Sequence, residues 1–207
     1  MGKLITIATL LWDPNKSSLS FSRMYSEEWA NRLYRGFARN LTVPFRFVCF
    51  TDRPREFVPG IEQQRLSSSE PSYGDCIEPF RLGCPTILCG LDTVVTGNCD
   101  HLAEYCQTGA AIALPRDPFN DRQACNGVSL IPAGHQSTWS EWRGENDMEW
   151  LRGRPHVIMD DIWPGQVVSY KGHVKRYGLG DARIVFFHGA EKPHELDDVP
   201  WIGRHWR

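Results

Sequence analysis

Apolar residues along this chain fall in short runs with sharp polar boundaries. The first, Lys3 to Leu11, reads as a buried strand, and a loop rich in Ser, Asn and Lys follows from Asp13 to Ser20. Tyr25, Trp29, Leu33 and Phe37 then recur every four residues, while Glu27, Glu28, Arg32, Arg35 and Arg39 occupy the opposite face. That spacing predicts an amphipathic helix of about four turns, closed by Asn40 and Pro44. Phe45 to Phe50 is a continuous apolar run ahead of the turn signal Asp52-Arg53-Pro54, which fits a strand buried on both faces. Strand, helix and strand in this order make the unit of a parallel sheet.

Further on, Ser67 to Asp75 reads as a Ser-rich loop, and Pro85 to Val95 holds two apolar runs broken by Cys89-Gly90-Leu91-Asp92. Gly109 to Leu114 and Gly127 to Ile131 are expected strands, and Ser137 to Arg152 a helix carrying Trp139, Trp142 and Trp150. Two more strands are expected at Gln166 to Tyr170 and Arg183 to Phe187. No internal repeat or linker interrupts the series, so residues 1–207 are read as a single α/β domain.

Composition narrows the partners. With 207 residues, 41% of them hydrophobic, the chain can bury a core, and global disorder is excluded. A formal net charge of −2 leaves no overall basic field for nucleic acid. No apolar run approaches the ~20 residues of a membrane span. The first run ends in Trp12-Asp13-Pro14, which reads as a strand end rather than a secretory cleavage site. Seven cysteines without a CxxC, several inside apolar runs such as Phe47-Val48-Cys49-Phe50, point to reduced thiols and a cytoplasmic protein. Cys84 and Cys89 lack the second ligand pair that a zinc site needs.

Four places carry candidate chemistry. Asp92, in Leu91-Asp92-Thr93-Val94-Val95, is an acid between two apolar segments. Burying it alone costs several kcal/mol, so it calls for a cation, a helix N-terminus or a metal. Taken alone, a structural turn is the plainer reading. The segment from Arg183 to Pro193 ends a strand with His188-Gly189 and adds Lys192, placing an imidazole and an ammonium on one loop at a sheet edge. A lone His closing a strand is more often simply hydrogen-bonded. Asp160-Asp161 suit either a helix first turn or a general base. Asn126 before Gly127 suits a ligand contact or a turn.

The order of these segments resembles the GT-A-type glycosyltransferases, the nucleotide-diphospho-sugar transferases of the glycogenin-like group. Phe45 to Asp52 is similar to the family's second strand, Thr86 to Gly97 to its metal strand, Cys125 to Val128 to its acceptor-side strand, Ser169-Tyr170-Lys171 to a late strand, and Phe187 to Pro193 to its closing loop. The last and the metal strand are the specific matches. One departure stands out: Gly90 replaces the first acid of the Asp-x-Asp motif.

The resemblance implies a single GT-A-like domain with a mixed, mostly parallel sheet, residues 1–97 forming the nucleotide-binding half and 98–207 the acceptor side. It implies Asp92 and His188 as ligands of Mn2+ or Mg2+, and Thr9, Leu10, Trp12, Tyr25, Asp52, Leu91, Asp92, Asn126, Gly189 and Lys192 as contacts of a nucleotide-sugar donor, a UDP-sugar in the first instance. Asp160 or Asp161 is the expected acceptor-side catalytic acid: a base if the reaction inverts, an orienter of donor hydroxyls if it retains. The acceptor is left open, and a homo-oligomer is one way to complete its site. Two competing readings are a nucleotide-sugar-binding pseudoenzyme, suggested by Gly90, and an interaction module built on the Trp139, Trp142, Trp150, Trp163, Trp201 and Trp206 cluster, whose plainer explanation is packing.

Overall fold

The computed structural model describes residues 4–18, 22–196 and 198–207. Strand β1 (Ile5–Leu11) is buried at every position; Lys3, where its expected run begins, lies outside the described residues. Helix α1 (Glu27–Asn40) puts Trp29, Ala30, Leu33 and Phe37 against the sheet, with Glu27 and Glu28 at its N-terminus and Arg39 in its last turn, each sign matching the helix dipole. Each of the larger buried side chains contributes roughly 1.5–3 kcal/mol. Strand β2 (Phe45–Thr51) returns parallel to β1, and β3 (Ile61–Arg65) lies parallel outside it.

The chain then crosses to the other side of β1. A 3-10 helix (Tyr73–Leu82), closed by Gly83 in the left-handed conformation, leads into β4 (Thr86–Cys89), parallel to β1. Next come β5 (Val94–Val95), α2 (Asp100–Thr108), β6 (Ile112–Leu114), a hairpin of β7 (Arg116–Asp117) and β8 (Asn120–Ala124), and β9 (Val128–Ile131). After α3 (Ser137–Ser140) and α4 (Asp147–Arg152), β10 (His156–Ile158) completes a seven-stranded sheet ordered β10-β6-β9-β4-β1-β2-β3. Its strands are parallel except β9, which runs antiparallel to β4 and β6. The C-terminal part adds α5 (Met159–Ile162), β11 (Val167–Ser169), a π-helical turn (Tyr170–Val174), α6 (Lys175–Tyr177), β12 (Ile184–Phe186) and α7 (Pro200–His205). Strands β11, β12 and β5 form a second, small sheet. The molecule is thus a mixed α/β fold with a mostly parallel central sheet flanked by helices.

Successive residues of β1 feed opposite layers. Ile5 and Ile7 join Leu33 and Phe37 of α1 and Leu102 of α2 in one core cluster, while Ala8 and Leu10 join Ile77 and Phe80 of the 3-10 helix in another.

Two expectations are corrected. Ser137 to Arg152 is two short helices, because Gly144 sits at φ +105° and Asn146 starts a new helix by accepting from the Met148 and Glu149 amides at 3.1 Å each. The Ser67 to Asp75 loop yields at Tyr73 to the 3-10 helix, which a reciprocal capping box between Ser72 and Asp75 initiates. The tryptophans follow the plainer of their two readings, packing. Trp206 is buried, and Trp139, Trp142, Trp150, Trp163 and Trp201 are partly buried against the core clusters. No described helix is long and apolar enough to cross a membrane. All seven cysteines are free thiols.

Candidate functional site

The sheet order creates a crevice beside β1: the chain moves outward from β1 through β2 to β3, then returns to place β4 on the other flank. Loops leaving β1 and β4 diverge at their carboxyl ends, where open parallel sheets collect ligands. A cavity of about 200 Å³ occupies this position, bounded by Leu10, Leu11 and Trp12 from the end of β1 and by Leu88, Cys89, Gly90, Leu91 and Asp92 from the end of β4. Tyr25 ahead of α1 and Tyr73 and Cys76 of the 3-10 helix close one side, and Asn126, Asp147 and Phe187 another. The wall therefore draws on residues before and after position 97.

Trp12 is fixed in this wall by two contacts: its Nε1 donates to Ser18 Oγ at 2.9 Å, and its ring meets Tyr73 edge-on at 6.0 Å. Of the expected donor contacts, Leu10, Trp12, Tyr25, Leu91, Asp92 and Asn126 line the cavity. Gly189 and Lys192 do not line it; Lys192 meets it only through its bond to Asp92. Thr9 does not line it either. It is fully buried inside β1, with its Oγ1 lacking a hydrogen-bond partner. Asp52 also stands behind the wall, where its carboxylate accepts from the Asp13 backbone N–H at 2.9 Å and from Arg55 at 2.7 Å.

Asp92 is the electrostatic centre. It is 7% exposed, and its Oδ2 accepts from the Tyr25 hydroxyl at 3.0 Å and from the Lys192 ammonium, itself 3% exposed. The pair answers the cost of burying either charge alone. Burial, then the neighbouring Asp92 charge, pushes the Tyr25 phenol far above its ordinary range, so it stays a donor at any working pH. Lys192 reaches Asp92 because the chain turns sharply after β12, with both Gly189 and Glu191 at φ +63°. Glu195 secures the same turn by accepting from the Lys192 backbone N–H at 2.8 Å.

His188 Nε2 lies 2.8 Å from Ser169 Oγ, which also accepts from the Gly172 N–H at 3.0 Å. Burial, Lys171 and Lys192 hold the imidazole below its usual pKa, so the ring is neutral near pH 7. Its tautomer then sets whether the serine hydroxyl donates to Nε2 or accepts from it. These contacts decide how well the site fits a divalent ion. Asp92 Oδ2 already carries an ammonium, His188 Nε2 is engaged by Ser169, and Gly90 offers no carboxylate. Among the described residues no group of three or more His, Cys, Asp or Glu is placed to hold a metal. The donor set as arranged does not fit the ion implied by the resemblance.

Asp160 and Asp161 are drawn elsewhere. Asp160 accepts from the Arg116 backbone N–H at 2.8 Å, and Asp161 pairs with the Arg116 guanidinium, so both carboxylates tie α5 to β7 and neither lines the cavity. A different acid does. Asp147, in the first turn of α4, lines the cavity and accepts from the Asn126 side-chain amide at 2.6 Å. Burial raises its pKa above the ordinary carboxylate value. The Asn146-Asp147 pair opening a short helix was the only local signal for it.

No protein-family model and no curated protein matches the sequence. Solved structures do match in fold. The glycosyltransferase GlyE of Streptococcus pneumoniae TIGR4 aligns over 92% of this chain and 56% of its own, at 12% identity and TM-score 0.57. The bifunctional WbbM glycosyltransferase aligns over 93% of this chain and 47% of its own, at 7% identity and TM-score 0.61. The galactosyltransferase LgtC, solved with donor and acceptor sugar analogues, aligns over 98% of this chain and 96% of its own, at 11% identity and TM-score 0.54. The chain thus spans about half the length of the first two. It has the GT-A-like fold of these glycosyltransferases.

Proposed function

We propose that this chain is a glycosyltransferase whose donor, a nucleoside-diphosphate sugar, binds in the cavity between the carboxyl ends of β1 and β4. The observation carrying the reading is the combination at one crevice of an aromatic and aliphatic wall, Leu10, Trp12, Tyr25 and Leu91, with buried Asp92, which lines it, and the Lys192 ammonium bonded to Asp92 just behind. The wall suits a base and ribose, and the ammonium suits a phosphate. A UDP-sugar is the first donor to test.

Transfer breaks the bond between the anomeric carbon and the diphosphate oxygen while an acceptor hydroxyl forms the new bond. Negative charge grows on the leaving diphosphate, so a preplaced cation lowers the barrier. A unit charge at 4 Å is worth about 4 kcal/mol at an effective dielectric of 20. Lys192 and the Gly189 backbone N–H are the groups assigned to that task. Asn126 and Asp147 are assigned to sugar or ribose hydroxyls, for which they offer a carboxylate and an amide at hydrogen-bonding range of each other. Placing Mn2+ or Mg2+ on Asp92 and His188 would require Lys192 to leave Asp92, and no step here depends on it.

A thermal-shift series with UDP-, GDP-, ADP- and CDP-linked sugars tests the reading. A ligand at 100 times its dissociation constant stabilises by about 2.7 kcal/mol. A shift with one nucleotide class is expected, and silence with all four overturns the reading. Gly90 favours a second reading, binding without transfer. Release of free sugar or product from the bound donor separates the two.

A further inference from the structure

We propose that the diphosphate of the donor is held by two side-chain ammonium groups, Lys192 and Lys171, and that nucleoside diphosphate binding needs no divalent ion. This rests on the donor-site reading above and adds how the charge is met.

Three arrangements carry it. Lys192 is buried against Asp92, in the position where a bound cation would otherwise balance that carboxylate. An ammonium has three N–H donors, so one directed at Asp92 Oδ2 leaves two for phosphate oxygens. Lys171, at the start of the π-helical turn, reaches the same closing turn: a Cβ built on Gly189 would stand 3.4 Å from Lys171 Nζ. Gly189 therefore keeps a gap between its backbone and a second ammonium. Finally, Gly90 removes the carboxylate that a metal would use beside Asp92, and a Cβ there would lie only 3.0 Å from Asp92 Oδ1. Two lysines carry the same formal +2 charge as a divalent ion, Lys192 from the closing turn and Lys171 from the π-helical turn that approaches it.

Calorimetric titration of UDP, GDP, ADP and CDP into the full chain, in EDTA and in excess Mn2+, tests this. One diphosphate should bind in EDTA with a dissociation constant within about threefold of that in Mn2+. Lys171→Met and Lys192→Met should each weaken that binding roughly 10- to 100-fold, the range for a lost charge-assisted hydrogen bond. Lys192→Met leaves Asp92 buried without its cation, so the double variant Asp92→Asn/Lys192→Met, which leaves no charge buried, replaces it should the single variant fail to fold. Binding that appears only with Mn2+, or a Lys171→Met chain that binds as tightly as the parent, overturns the inference and leaves the donor site standing. No binding of any diphosphate in either buffer overturns the donor site, and the inference with it.

Discussion

The side-chain amide of Asn126 donates to Asp147 Oδ2 at 2.6 Å, joining the entry of β9 to the first turn of α4 across one end of the cavity. Burial raises the Asp147 pKa, so the folded protein binds its proton more tightly than the unfolded chain does. A raised carboxyl pKa favours the fold at pH values below the unfolded pKa, and that contribution is lost as pH rises through the folded pKa. At neutral pH the buried charge therefore opposes folding. Asp147→Asn should melt higher than the parent at pH 7, and the gap should close as the pH falls toward 4, near the ordinary carboxylate value. The same variant should lower transfer about 10-fold or more, the cost of losing a hydrogen bond to a charged acceptor. Melting curves at several pH values and initial rates check the two halves. A lower melting temperature at pH 7 would contradict the burial argument.

Arg55 organises the other end. Its guanidinium, on a side chain 2% exposed, reaches Asp52 at 2.7 Å, Asp13 at 2.9 Å and Glu27 at 3.0 Å. It thus clamps the end of β2 and the loop after β1 to the start of α1. Removing one partner of a buried ion network costs about 3–5 kcal/mol. Arg55→Met should lose stability toward the lower part of that range, because Asp13 and Glu27 are partly exposed. Urea unfolding measures it. Since Asp52 holds the Asp13 backbone behind Trp12, Asp52→Asn should weaken donor binding while itself never touching the donor.

Gly127 tests the packing behind the site. A Cβ built there would fall 2.4 Å from the Phe186 ring, a distance no side chain tolerates without movement. Phe186 belongs to β12 and is 3% exposed within the main core, so it has little room to yield. Gly127→Ala should cost about 1–3 kcal/mol, as overpacked cores do. Co-substitution of Phe186→Leu should recover part of it, which a double-mutant cycle reads as a coupling energy. Strict additivity would place the strain elsewhere.

What the sequence made legible follows the signals each element carries. β1, α1 and β2 announce themselves because each buries a continuous run or a four-residue stripe. β3, Ile-Glu-Gln-Gln-Arg, is an edge strand with three of its five side chains exposed, so the sequence shows no apolar pattern there. Helix α2 leaves little trace in the sequence because its short buried stripe is just Leu102, Ala103 and Cys106. The cavity wall from Leu10 to Trp12 and at Leu91-Asp92 was legible, since those residues end strands that the pattern located. Thr9 and Asp52 stand one layer behind the cavity wall, where strand alternation and an ion network set their positions. Asp160-Asp161 stand out in the sequence as adjacent acids, but their partner Arg116 sits in a hairpin whose exposed strand β8 carries no hydrophobic period. Asp147 carries no signal beyond its place after the Asn146 helix cap, and only the fold brings it to Asn126.

Tyr25 offers the sharpest single-atom test of the site. Its hydroxyl donates to Asp92 Oδ2 at 3.0 Å, and its ring packs edge-on against Trp29 with centroids 4.9 Å apart. Tyr25→Phe keeps the ring and removes only the donor. Asp92 retains Lys192, so the loss should stay near the 1.5–3 kcal/mol typical of a hydrogen bond to a charged group. Part of that appears as stability, a fall of roughly 2–4 °C in melting temperature per kcal/mol for a chain of this size. The rest appears in binding if Asp92 must be held in one rotamer to orient Lys192 toward the phosphates. Nucleoside diphosphate affinity should then drop about tenfold, with the weakening greatest at low ionic strength, where the ammonium's field is least screened. Equal affinities for parent and variant across a salt series would mean that Lys192 alone fixes the carboxylate and that Tyr25 serves only as wall.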